Sequence, residues 1–104
     1  MSLTTEEIAR TGRELRANLA LTGLTTTQAA TDLGLTTEEV EALLASGPGN
    51  DPARVWQLRD YLHQAVKDTG NTPVPFTVLT SAAKVRARLW FRLYKAPRHD
   101  FTAH

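Results

Sequence analysis

Lys84, Arg86, Arg88, Arg92, Lys95 and Arg98 are six cations with no acidic residue between them, interleaved with Trp90, Phe91 and Tyr94. Cations attract phosphate oxygens and aromatic faces stack on bases, so such an arm suits a nucleic-acid backbone or a single strand. It equally suits an arm whose aromatics pack on the core while its cations lie over the acidic half of its own or a neighbouring chain. A second charged pattern, Thr36-Thr37-Glu38-Glu39-Val40-Glu41, is acidic. Carboxylates accept hydrogen bonds and repel phosphate, so these glutamates suit helix capping on a solvated face, or a face that docks a basic partner, better than base reading.

Catalytic sets are sparse. The histidines are His63, His99 and His104, and there is no cysteine. The chain therefore has no thiolate nucleophile and no cysteine-bearing zinc site. His99, Asp100 and His104 form a loose chelating group, but a short tail lacks the surrounding hydrogen bonds that orient metal ligands. Gly47-Pro48-Gly49 reads as a turn, because no phosphate-loop or dinucleotide fingerprint follows it. The expectation is a non-enzymatic protein with no catalytic residues, no metal and no cofactor.

These residues must be positioned by one small domain. The chain has 104 residues, 41% hydrophobic and 22% charged, close to globular averages. No apolar run approaches the ~18 residues of a membrane span. The start, Met1-Ser2-Leu3-Thr4-Thr5-Glu6-Glu7, is unlike a secretion signal. A cytoplasmic domain over 1–95 with a flexible tail over 96–104 is the expectation. Residues 1–51 carry three Arg against eight Asp or Glu, a net of −5. Residues 52–104 carry nine Lys or Arg against three Asp, a net of +6. Halves of opposite charge pack on each other, within or between chains, or leave the basic end for an anionic partner.

Helical signals dominate. Thr4…Glu7, Thr25…Gln28 and Thr36…Glu39 each have the spacing of a capping box, in which hydroxyl and carboxyl or amide satisfy each other's backbone amides. They predict helices over about 5–21, 26–33 and 37–45. The first has Ile8, Gly12, Leu15 and Leu19 on one stripe. Gly12 costs about 1 kcal/mol against Ala, which implies a close backbone approach. Ser46 to Asn50 reads as a linker. Asp51-Pro52 then starts a fourth helix that buries Val55, Leu58, Leu62, Ala65 and Val66, keeps Trp56 and His63 on its flank, and stops at Gly70. Thr72-Pro73-Val74-Pro75-Phe76 cannot be helical, because each proline drives the residue before it toward extended geometry. Its Val74 and Phe76 are expected across the core. From Val85 to Tyr94 the pattern alternates like a strand, yet Thr80-Ser81-Ala82-Ala83-Lys84 reads as a helix start, with an extended end after it.

The second and third helices meet through Ala30, the turn glycine Gly34 four residues later, and the inner pair Val40 and Leu43. Leu33, Leu35 and Leu44 complete the seam. These types at this spacing resemble the lambda-repressor-like helix-turn-helix domains. The expected fold is all-α, with four to five helices, a helix-turn-helix at the centre, an extended Pro-Val-Pro-Phe segment and a basic C-terminal arm. In a DNA reader the outward face of the third helix enters the major groove. Here that face holds Thr36, Thr37, Glu38, Glu41, Ala42 and Ala45, none of the types that pair bidentately with guanine or adenine.

Leu21-Thr22-Gly23-Leu24, Asp32-Leu33-Gly34, Leu58-Arg59-Asp60-Tyr61-Leu62, Pro73-Val74-Pro75-Phe76-Thr77-Val78-Leu79 and Trp90-Phe91 together resemble a bacterial family classed as the domain of unknown function numbered 2316. The resemblance spans about residues 3–93. It implies a helical, repressor-like fold and no activity.

Three function classes follow. In the first, the chain is a protein-interaction or assembly module and a homodimer, with Glu38, Glu41, Ala42, Trp90 and Tyr94 facing the partner. In the second, it is a small DNA-binding regulator, with Thr36, Thr37 and Glu38 at the groove and Arg86, Arg88 and Arg92 on phosphate. A third is a small-molecule sensor with an apolar pocket under the Pro-Val-Pro-Phe segment.

Overall fold

A computed structural model describes residues 4–46, 52–89, 93, 95–99 and 101. Its helices are α1 (Thr5–Thr22), α2 (Thr26–Leu33), α3 (Thr37–Ser46), α4 (Pro52–Asp68) and α5 (Ser81–Ala87). The described residues contain no strand.

Local hydrogen bonding explains where the first three helices begin. Thr4 Oγ1 accepts from the Glu7 amide at 3.1 Å, and Glu7 Oε1 accepts from the Thr4 amide at 3.0 Å. Thr25 and Gln28 repeat the exchange at 3.1 and 2.8 Å, and Thr36 and Glu39 at 3.0 and 2.9 Å. Each box satisfies two amides that a helix start would leave without partners. α1 and α2 both end on a left-handed glycine, Gly23 at φ 72° and Gly34 at φ 71°.

α1 packs on both α3 and α4, while α2 packs on α3. At the α1–α3 crossing the two backbones meet at Gly12, where an added Cβ would lie 2.7 Å from the Leu44 carbonyl oxygen. The close approach expected from Gly12 is present. The rest of the α1 stripe differs from expectation, because Ile8 and Leu19 are only half-buried. Alongside Gly12 and Leu15, the buried positions of α1 are the polar Thr11, Asn18 and Thr22. Extended chain explains the substitution. Asn18 Oδ1 accepts from the Val74 amide at 2.9 Å and Asn18 Nδ2 donates to the Val74 carbonyl at 3.1 Å. The amide side chain thus satisfies backbone that the prolines on either side keep out of any helix. Thr11 and Thr22 turn their hydroxyls back to the carbonyls of Glu7 and Leu19.

α4 buries the widest face of the described helices. Val55, Leu58, Leu62, Ala65 and Val66 are buried as expected. Trp56, Gln57 and Tyr61 are buried as well, so the buried arc is wider than one stripe and Trp56 belongs to the core rather than its flank. The reason is that α4 is covered on a second side. Phe76 and Leu79 of the extended segment join the core, with half-buried Ala83, Ala87, Leu93 and Ala96 packed against it. Arg59 fastens that cover, donating from Nε to the Leu79 carbonyl at 3.1 Å and lying 4.8 Å from the centre of the Phe76 ring. Val74 is half-buried, held by its backbone rather than its side chain.

The ambiguous stretch after Thr80 is resolved by its cap. Thr80 Oγ1 accepts from the Ala83 amide at 3.1 Å, and the chain is helical to Ala87. Val85 and Leu89 therefore do not share an inward face with Ala87, and stand exposed. Residues 47–51, including most of the expected linker and the Asp51 cap, lie outside the described residues, as do 90–92, 94, 100 and 102–104.

Candidate interaction surfaces

α3 carries the first surface. Its outward line runs through Glu38, Glu41, Ala42 and Ala45, of which Ala42 is half-buried and the others exposed. Glu41 is held on both carboxylate oxygens, accepting from Thr26 Oγ1 at 3.0 Å and pairing with Arg16 Nη2 at 3.4 Å. The Thr36 hydroxyl is engaged in the cap, and Thr37 Oγ1 lies 3.3 Å from Thr27 Oγ1. Thr36 at the start of α3 and Thr37, Glu38, Glu41 and Ala42 on it are thus brought together, with an acidic outer rim.

Helix α5 and the segment after it carry the second surface, and its cations divide. Lys84 Nζ forms an ion pair with Asp60, and Arg98 Nη2 pairs with Asp68 at 2.6 Å. Both acids belong to α4, so these two cations lie over acids of their own half rather than over residues 1–51. Arg86 and Arg88 are exposed, with no side-chain partner among the described residues. They sit on a helix that is not among the extensive packing partners of α3. Trp90, Arg92 and Tyr94, expected to share in this surface, lie outside the described residues.

The segment after residue 92 is tied to the helices. Gln57 Nε2 donates to the Lys95 carbonyl at 3.1 Å. His99 Nδ1 stands 2.6 Å from Asp32 Oδ2, and its ring meets Phe101 edge-on with centroids 4.6 Å apart. The Arg98 and His99 contacts occupy the stretch expected to be a flexible tail. Asp32 Oδ2 also accepts from the buried Tyr61 hydroxyl at 2.5 Å. Burial, then the neighbouring Asp32 carboxylate, raises the Tyr61 hydroxyl above its ordinary range.

Sequence reasoning did not single out this Asp32–Tyr61–His99 cluster, though Asp32 and Tyr61 both fall in the family-resembling runs. One signal was available. A carboxylate in the last turn of α2 meets the negative end of the helix dipole and therefore needs donors.

Asp60, His63, Gln64, Lys84, Ala96, Pro97 and Arg98 line an open groove of about 340 Å³. Burial first, then the Arg59 and Lys67 cations, hold the His63 imidazole below its usual range, with Asp60 opposing. Arg98 first, then Gln64, lower Asp68 from the ordinary carboxylate range. Among the described residues no three His, Asp or Glu are gathered closely enough to hold a metal ion, and no helix is long and apolar enough to cross a membrane.

Among the described residues, five helices, an extended clamp across α1 and α4, and two charged surfaces of opposite sign define an all-α domain. The chain belongs to a family of uncharacterised proteins conserved in bacteria (DUF2316), whose model matches residues 1–92. Neither the curated proteins nor the solved structures contain a match to it. Lys95, Arg98 and His99, with their contacts to α4 and α2, lie beyond the matched stretch.

Proposed function

We propose that this chain is a non-enzymatic protein-interaction or assembly module, built on a helix-turn-helix frame whose second helix is acidic rather than base-reading. The observation that carries the proposal is the α3 rim, where Glu41 contacts Arg16 and Thr26 and Glu38 stands exposed beside it. In favour of the frame, Ala30, Val40 and Leu43 are buried where α2 and α3 meet, around a left-handed Gly34. Carboxylates on this face would be repelled by a duplex that carries a phosphate charge every ~1.7 Å. Such a rim favours a basic, partly apolar protein surface.

Arg86 and Arg88 favour a second reading, a small DNA-binding regulator, because both are exposed without a side-chain partner among the described residues. In that reading Thr36, Thr37 and Glu38 would face the groove. Titrating the full chain into mixed-sequence duplex at low salt separates the two. The module reading expects no binding even at ~50 mM salt, where phosphate contacts are strongest. Binding with a log–log salt slope of about −0.9 per contact, flattened by about 2 when Arg86 and Arg88 are both changed to Ala, overturns it in favour of the regulator.

A further inference from the structure

Residues on α5 advance by about 100° each. Val85 therefore faces away from Ala83 and Ala87, and Leu89, in the turn that follows α5, stands exposed after it, with the exposed Arg86 and Arg88 between them in the chain. The back face packs on the core, and Lys84 is anchored to Asp60, so the helix is fixed with Val85 outward. Val85 is 64% exposed and Leu89 80%, the exposed large hydrophobic residues of the described surface. A phosphate backbone would neutralise the two arginines but leave both apolar chains in water. A protein surface that is acidic with an apolar floor would satisfy all four side chains.

The α3 line has that composition, with Glu38 carrying the opposite charge beside the Arg16-paired Glu41, and Ala42 and Ala45 offering side chains small enough for close approach. We infer that the α5 face docks on the α3 face of a second copy of this chain, Arg86 and Arg88 meeting Glu38 while Val85 and Leu89 lie over Ala42 and Ala45. The inference rests on the interaction-module reading and names its partner. A contact between two different faces is made twice in a two-fold pair, offsetting the small area of a seven-residue helix, or once per copy in a head-to-tail chain.

Analytical ultracentrifugation of the full chain across a wide concentration range, with circular dichroism to verify helical content, tests this with charge reversal. The unaltered chain should self-associate, less so as salt rises. Glu38→Lys alone, and Arg86→Glu with Arg88→Glu alone, should each associate at least roughly tenfold more weakly, because like charges then face each other. An equimolar mixture of the two variants should associate again, since each contact in a mixed pair joins opposite charges. Leu89→Ser should weaken association without touching any charge. Charge variants that associate as well as the unaltered chain, or a mixture that stays monomeric, overturn the pairing. An unaltered chain that is monomeric throughout overturns the second copy as partner, whereas the module reading falls only to duplex binding of the kind described above.

Discussion

The Gly12 α-carbon faces the Leu44 carbonyl so closely that a Cβ on it would lie 2.7 Å from the oxygen. This contact sets the spacing of α1 and α3, and hence the attitude of the acidic rim. Alanine should gain about 1 kcal/mol in helix propensity at this position. The clash is with backbone, which cannot rotate away, so the helices must separate at a cost of about 1–3 kcal/mol. Gly12→Ala is expected to lower stability on balance, by several degrees in Tm at about 4–8 °C per kcal/mol for a domain of this size. A calorimetric scan in which the variant melts higher would show that the crossing is looser than described.

Asn18 stands between α1 and the Pro-Val-Pro-Phe segment, exchanging two hydrogen bonds with the Val74 backbone. Replacing it by Leu removes both and leaves a backbone amide and carbonyl without partners beside a fully buried side chain. Each orphaned group costs about 1–3 kcal/mol. Urea denaturation should therefore show Asn18→Leu destabilised by about 2–4 kcal/mol, larger than most surface changes. Hydrogen exchange gives an independent readout, with the Val74 amide losing protection selectively.

The His63 imidazole, held below its usual range by burial and by Arg59 and Lys67, couples folding to pH. Unfolded chain takes up the proton near the ordinary value of 6.5, whereas the folded chain does so only at lower pH. Between those two points the unfolded state binds more protons, so stability falls as pH drops below about 6.5 and levels off beneath the folded value. His63→Gln should flatten the stability profile across that window. Lys67→Ala should narrow it by removing one of the two repelling cations, and an NMR titration should show the His63 midpoint moving up toward 6.5.

How much of this was legible in the sequence depended on range. The three Thr boxes and the Gly12 approach were readable because a cap acts over three residues and a glycine inside a helix needs a local reason. The helix starting at Thr80 was contested by an alternating pattern, and its cap decided the outcome. The Asn18–Val74 clamp spans 56 positions and the Asp32–His99 contact 67, with nothing local to mark either pair. Charge totals of the two halves did not place Lys84 and Arg98 for the same reason. A net charge gives no addresses, and Lys84 and Arg98 found their acids at Asp60 and Asp68 on the adjacent helix. Glu38 and Arg86 were legible as candidates by type, whereas the exposure of Val85 and Leu89 beside Arg86 required the helix to be known.

Tyr61 is wholly buried on α4 with its hydroxyl on Asp32, and both circumstances favour its neutral form. Its ionisation in the folded chain lies above the ordinary value of 10, so the unfolded state releases the proton first as pH rises. Stability is then fully present below about pH 10 and declines above it, as the folded chain resists losing a proton that the unfolded chain gives up. Tyr61→Phe removes this alkaline loss, and at neutral pH costs about 1 kcal/mol for the hydrogen bond, tempered because Asp32 keeps His99 as a partner. Absorbance at the tyrosinate band during alkaline titration provides the measurement. One tyrosine should ionise only together with loss of helical signal in the unaltered chain, and that delayed step should be missing in the variant. Ionisation of every tyrosine before unfolding would mean that the Tyr61 hydroxyl reaches water in the folded state.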